Sequence, residues 1–207
     1  NARMYGDEIA LIEREPAKEL RRTLTWREFD QMANRVANSL IERGIKKGDR
    51  VIHLMMNCLE WLPVYFGILR TGAWAVPLNF RFTSEDIRYC TGIAEAKAMI
   101  FGEEFVDRID KIREDLETIK NYIYLAPDGE IPFWAEGFDK FIERAQTIDP
   151  KIPLNLYDEA ALYFTSGTTG TPKPILLTHR NLEAACIVEN RHHNQTQNDN
   201  FLCIPPL

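Results

Sequence analysis

Residues 160–178 read AALYFTSGTTGTPKPILLT. The fold turns on which element succeeds the glycine-rich centre: a helix, as in a P-loop, or a second strand. A P-loop needs a glycine, four residues, then Gly-Lys-Ser/Thr with a helix opening there. Here Lys173 stands between Pro172 and Pro174. Pro174 biases Lys173 toward extended backbone. The run ILLT beyond it has the continuous apolar character of a buried strand. The apolar lead-in ALYF is a strand as well, so the stretch predicts strand, loop, strand.

The centre of this stretch is built for an anion. Gly167 and Gly170 admit positive φ and close approach of backbone to a ligand. Successive amides can then converge as an anion nest. Thr165, Ser166, Thr168, Thr169 and Thr171 add hydroxyls, and Lys173 adds a full positive charge. A plain hairpin turn is the alternative, but a turn needs one or two permissive residues rather than this density of donors.

Upstream, short apolar runs alternate with helical patterns. Strands are expected at 50–56, 73–78, 97–101 and 122–126, each apolar throughout, as in strands covered on both faces. Between them, residues 25–44 place Phe29, Ala33, Val36, Ala37, Leu40 and Ile41 on one helical stripe, with Thr25 and Glu28 as a capping box and Gly44 as the stop. Thr83 and Asp86 open a second helix in the same way. Residues 103–119 carry Phe105, Ile109, Ile112 and Leu116 along one stripe and predict a third. In residues 57–72, Asn57 resembles a cap, yet Pro63 then falls inside the helix. The helix either kinks there or starts later. Strands alternating with helices give an α/β fold with a mainly parallel sheet flanked by helices. Residues 127–140 and 149–159 read as loops. The second separates a lobe of residues 1–150 from a segment 151–207 that is expected to start a second sheet carrying the glycine-rich loop.

Composition narrows the function. The 207 residues are 45% hydrophobic and 27% charged, ordinary for a globular protein. A net charge of −6 without a basic run argues against a nucleic-acid surface. Cys58, Cys90, Cys186 and Cys203 show neither disulfide density nor zinc spacing, so they read as reduced and mostly buried thiols of a cytoplasmic protein. The most apolar span, 51–80, is interrupted by Glu60 and Arg70 and is no transmembrane segment.

YFTSGTTGTPKPILLTHRNL (Tyr163–Leu182) resembles the phosphate-loop signature of the adenylate-forming (AMP-binding) superfamily, which holds acyl-CoA synthetases, luciferases and peptide-synthetase adenylation domains. LTWREFDQMANRVANSLIERGIKKGDRV, NCLEW and GILRTGAWAVPLNFRFTSEDIRY resemble the N-terminal region of fatty acyl-CoA synthetases. The resemblance implies the N-terminal part of the acyl-CoA synthetase-like fold. It also implies a ligase that activates a carboxylic acid, a fatty acid first, as acyl-adenylate and passes it to coenzyme A. Adenylation of an amino or aryl acid, or a non-catalytic scaffold, is the alternative. The implied cofactors and co-substrates are ATP, Mg2+ and coenzyme A. Thr165, Ser166, Gly167, Thr168, Thr169, Gly170, Thr171 and Lys173 would hold the outer phosphates, with Thr165 also the metal ligand. No catalytic residue is implied within this chain. The adenine, ribose and acyl pockets would lie beyond Leu207, making the missing C-terminal part of the same enzyme a partner; a homodimer stays open. Where the family usually has glycine after the lysine, this chain has Pro174.

Other residues read more simply. His179 follows Thr178 as a helix cap and sits in an exposed first turn. His192 and His193 end that helix in solvent. Trp26, Trp61 and Trp74 pack in regular elements, and His53 is a strand histidine with a backbone partner.

Overall fold

The computed structural model describes residues 1–126, 129–165, 171–196 and 198–203. The chain starts with an antiparallel hairpin, β1 (Ile9–Glu15) and β2 (Leu20–Thr25), which is a separate two-stranded sheet. The sequence pattern does not anticipate it. Most of its residues are only partly buried, and the apolar start IALI gives way to charge, so the hairpin lacks the fully buried apolar strands of the main sheet. Arg22 ties it to the body, bridging Glu13 and Glu60, with 2.8 Å between its Nη1 and the Glu60 Oε1.

Helix α1 (Trp26–Glu42) begins where the capping box predicts. The Thr25 hydroxyl accepts the Glu28 amide, and the Glu28 carboxylate accepts the Thr25 amide at 2.8 Å. Gly44 follows its end with φ of +85°, a backbone that favours glycine. Then come β3 (Arg50–Leu54), α2 (Trp61–Arg70), β4 (Trp74–Pro77), α3 (Ser84–Ala94), β5 (Ala98–Gly102), α4 (Val106–Asp110), β6 (Asn121–Leu125), β7 (Glu136–Gly137), α5 (Phe138–Glu143), β8 (Glu159–Thr165), β9 (Lys173–Thr178) and α6 (His179–His193).

Helix α2 starts at Trp61, not Asn57. Pro63 is thereby its third residue, where the missing N–H would have had no intrahelical acceptor. Residues 103–119 correct the expectation of one continuous helix. They form a 3-10 turn, the short α4 and a second 3-10 turn. Phe105, Ile109, Ile112 and Leu116 are nonetheless all buried. The apolar stripe is real, but the chain bends along it to feed β6. The presumed loop at 127–140 contains β7 and the start of α5.

Seven strands form the main sheet in the order β7-β6-β5-β3-β4-β8-β9. All neighbours are parallel except β8 and β9. The expected second sheet from residue 151 is corrected here: β8 joins the first sheet beside β4, with Ala161 opposite Ala75. One face of the sheet, through Val51, Ala75, Ala98 and Ile100, packs on α1, α2 and α5. The other, through Ile52, Val76, Met99 and Phe101, packs on α3 and α4. Full burial of both faces explains why these strands lack alternation. Where α1 meets α2, a Cβ on Gly67 would lie 2.6 Å from the Val36 Cβ, so glycine sets the closeness of that crossing.

The chain leaves central β3 toward β4, then crosses to β5 on the other side. In such open sheets, ligands gather outside the carboxyl ends of the parallel strands. Thr165 ends β8 at that edge.

Candidate functional site

Strands β8 and β9 form an antiparallel hairpin in which Thr165 and Lys173 are direct partners. Opposed residues of an antiparallel pair project to the same face. Thr165 and Lys173 therefore leave the sheet together, on the face that Tyr163 shares two residues earlier. The expected strand on each side is thus present, and Lys173 opens a strand, not a helix. Pro174 sits opposite Phe164 on β9, which is an edge strand, the place where a sheet tolerates proline.

Thr165, Thr171 and Lys173 are exposed at the loop end of this hairpin. Lys173 makes no ion pair among the described residues, so its charge is available to a ligand. The other expected phosphate-loop residues, Ser166, Gly167, Thr168, Thr169 and Gly170, lie outside the described residues. Pro172 is buried between its two exposed neighbours, which anchors the point where the chain enters β9.

Behind the hairpin is a contact the sequence did not reveal. The hydroxyls of Tyr163 and Tyr65 lie 3.0 Å apart, linking β8 to α2. Burial pushes the Tyr65 hydroxyl well above the usual phenol range, and its bond to Tyr163 acts in the same direction. Tyr65 therefore stays neutral, and the hydroxyl pair braces the strand that carries Thr165. The only sequence signal was a tyrosine within each of two apolar runs. Tyr65 also stacks on Trp61 at 5.6 Å, and Trp61 lies 4.3 Å from the ring of His53.

His53 departs from expectation. It is buried in β3, but neither ring nitrogen has a hydrogen-bond partner among the described residues. Burial pushes its pKa down to about 3, so the imidazole is neutral.

His179 heads α6, whose capping box joins Thr178 and Asn181. It is half-buried rather than exposed, and burial lowers its pKa. It lies at the far end of β9 from Lys173. Six residue steps, five of them along the strand and worth roughly 16 Å, separate the two, so His179 does not line the loop end of the hairpin. His192 and His193 stand exposed at the other end of α6. Among the described residues, no group of three or more His, Cys, Asp or Glu is placed to hold a metal ion. None of the four cysteines is in a disulfide, and only Cys90 is fully buried, which corrects the expectation of mostly buried thiols. No helix of the described residues is long and apolar enough to cross a membrane.

Comparison with known proteins adds the family. The profile of the AMP-binding enzymes matches residues 1–207. A crotonobetaine/carnitine–CoA ligase of Proteus sp. (strain LE138) is 30% identical over 208 residues, covering 99% of this chain and 40% of the relative. A long-chain-fatty-acid–CoA ligase of Mycobacterium tuberculosis (strain CDC 1551 / Oshkosh) is 32% identical over 174 residues, covering 83% of this chain and 32% of that protein. The crystal structure of an anthranilate CoA ligase in complex with anthranoyl-AMP superposes with a TM-score of 0.77 at 27% identity, covering 80% of this chain and 32% of that one. The acyl-CoA synthetase of Brucella canis shares the fold, with a TM-score of 0.85 at 23% identity over 98% of this chain and 36% of its own. The chain spans about 40% of the length of the crotonobetaine/carnitine–CoA ligase it matches.

Proposed function

The chain belongs to the AMP-binding enzyme family, and from that premise we propose that it is the ATP-holding N-terminal portion of an acid–CoA ligase. The observation that carries this reading is the β8–β9 hairpin, which sets Thr165 opposite Lys173, without an ion pair among the described residues, at the carboxyl edge of a parallel sheet. The segment from Thr165 to Lys173 takes the β- and γ-phosphates of ATP. Its donors hold the charge that develops on pyrophosphate as it leaves, which is electrostatic stabilisation by preplaced groups.

In the first step a carboxylate oxygen bonds to the α-phosphorus and the bond to the β-phosphate bridge breaks, releasing pyrophosphate. In the second, the coenzyme A sulfur bonds to the acyl carbon, the thiol proton is lost, and AMP departs with the C–O electron pair. Magnesium suits the donor set: it keeps most of its waters and takes phosphate oxygens, needing little from the protein. The exposed Thr165 hydroxyl would supply one ligand.

A fatty acid is the acid we name. Carnitine-type and aryl acids are the competing classes, favoured by the names of the relatives. The 1–150 and 151–207 division belongs to the same proposal, with the second segment as the phosphate-holding unit. The test is pyrophosphate exchange by the complete enzyme over a panel of acids. Exchange supported by fatty acids and suppressed by Lys173→Ala agrees with the reading. Exchange indifferent to Lys173→Ala contradicts it. The 207-residue chain alone is expected to bind ATP weakly and to form no CoA thioester.

A further inference from the structure

We propose that Tyr65 is a positioning residue for the first step of the ligase reaction, holding the loop end of the β8–β9 hairpin in place through the hydroxyl of Tyr163. The inference rests on the reading of that hairpin as the phosphate receptor.

The hairpin needs such a hold because the sheet grips it at one end. Strand β8 pairs with β4 at a single position, Ala161 opposite Ala75. Thr165 lies four strand steps, roughly 13 Å, beyond that position. Over this length the ladder partner of β8 is β9. Strand β9 is the edge of the sheet, and its residues 173–176 are exposed. Pairing with an exposed edge strand fixes the two strands to each other, not to the body of the protein. On the face toward α3 and α4, Phe164 packs against the core. The opposite face depends on Tyr163.

Tyr163 stands midway between Ala161 and Thr165, on the face that carries Thr165 and Lys173. Its cross-strand partner Ile175 is 43% exposed and has no polar side-chain atom to offer it. The Tyr163 hydroxyl instead meets that of Tyr65 at 3.0 Å. Among the described residues, this is the one side-chain hydrogen bond that joins β8 or β9 to another strand or to helices α1–α5. Tyr65 is a rigid post for it. The ring is buried, stacks on Trp61 and meets Phe66 edge-on at 5.9 Å. Its helix lies so close to α1 that Gly67 has no room for a Cβ. The bond passes that rigidity to the projecting strand.

The pair therefore governs where Lys173 stands as charge develops on the leaving pyrophosphate. Preplaced groups stabilise such charge only when they are held in position, and a small displacement is costly. Without the Tyr65 hydroxyl, Lys173 keeps its charge and still reaches bound ATP. The loss then falls on the transition state more than on the ground state.

The experiment is pyrophosphate exchange by the complete enzyme, measured against Mg·ATP concentration at saturating acid. Tyr65→Phe keeps the ring and removes the oxygen. It should lower kcat about five- to tenfold, the worth of one hydrogen bond, with the ATP KM changed less than about twofold. Tyr163→Phe should do the same, and the double variant should lose no more than either single one, because both break one bond. A purely structural role would lower exchange by the same factor with or without Lys173. In the Lys173→Ala background, Tyr65→Phe should instead cost less than about twofold. The proposal is overturned if the phenylalanine variants exchange like wild type, if their loss lies wholly in KM, or if Tyr65→Phe costs as much without Lys173 as with it. Lys173→Ala alone separates the two readings. Exchange slowed by Lys173→Ala but indifferent to Tyr65→Phe removes the positioning role and leaves the phosphate receptor standing, whereas exchange indifferent to Lys173→Ala removes both.

Discussion

At the residue scale, His53 and Lys173 are opposite uses of a nitrogen base. Lys173 is exposed and makes no ion pair among the described residues. His53 is sealed in the core with both nitrogens unpartnered, its pKa pushed down to about 3. Because the folded pKa lies below the unfolded one, the unfolded chain takes up a proton that the folded chain refuses. Stability is therefore complete above about pH 6.5 and is lost as pH falls toward 3, by up to ~1.4 kcal/mol per pH unit. His53→Leu should flatten urea-unfolding stability over that window by about one proton. An unchanged pH slope would show that His53 is not the titrating group. A sequence cannot announce such a histidine: HLMM within a strand is equally consistent with a satisfied ring, and only packing against Trp61 reveals the missing partners. Lys173 was legible because its two flanking prolines constrain the backbone whatever surrounds it. For Lys173→Ala we expect Mg·ATP affinity to fall about 10- to 100-fold, the effect of losing one charge-assisted hydrogen bond.

At the element scale, two helix glycines should respond to alanine with opposite signs. Gly92 meets nothing, so Gly92→Ala should gain about 0.5–1 kcal/mol from helix propensity. Gly67 lies against Val36, so Gly67→Ala must push α1 from α2 and should lose roughly 1–3 kcal/mol. Chemical denaturation of both variants checks this; equal signs would refute the packing argument. Helix starts were the most legible elements, because the boxes at Thr25 and Thr83 are complete within four residues. Thr83→Ala should accordingly cost about 1 kcal/mol. The break in residues 103–119 was not legible. Its apolar spacing is helical, and the bend answers to the position of β6, a demand from outside the segment. The β1–β2 hairpin was missed because only Leu24 of it is buried and Arg22 holds it to Glu60 by an ion pair, so its apolar start IALI passes into charge without a strand-length pattern.

For the whole molecule, the alternation of fully apolar strands with amphipathic helices was enough to give a parallel sheet covered on both faces. The strand order was not available from that pattern. The return of β8 to the side of β4 rests on one paired position, Ala75 with Ala161, and small residues there carry no distinctive signal. That return brings the hairpin to the edge where the parallel strands end, and the proposed chemistry depends on it. The most direct test is a titration of the isotopically labelled 207-residue chain with Mg·ATP, followed through its backbone amide resonances. The largest shifts should fall within residues 165–173, Thr165, Thr171 and Lys173 among them, and Lys173→Ala should abolish most of them. If the largest shifts fall elsewhere while these amides stay still, the hairpin is not the phosphate receptor.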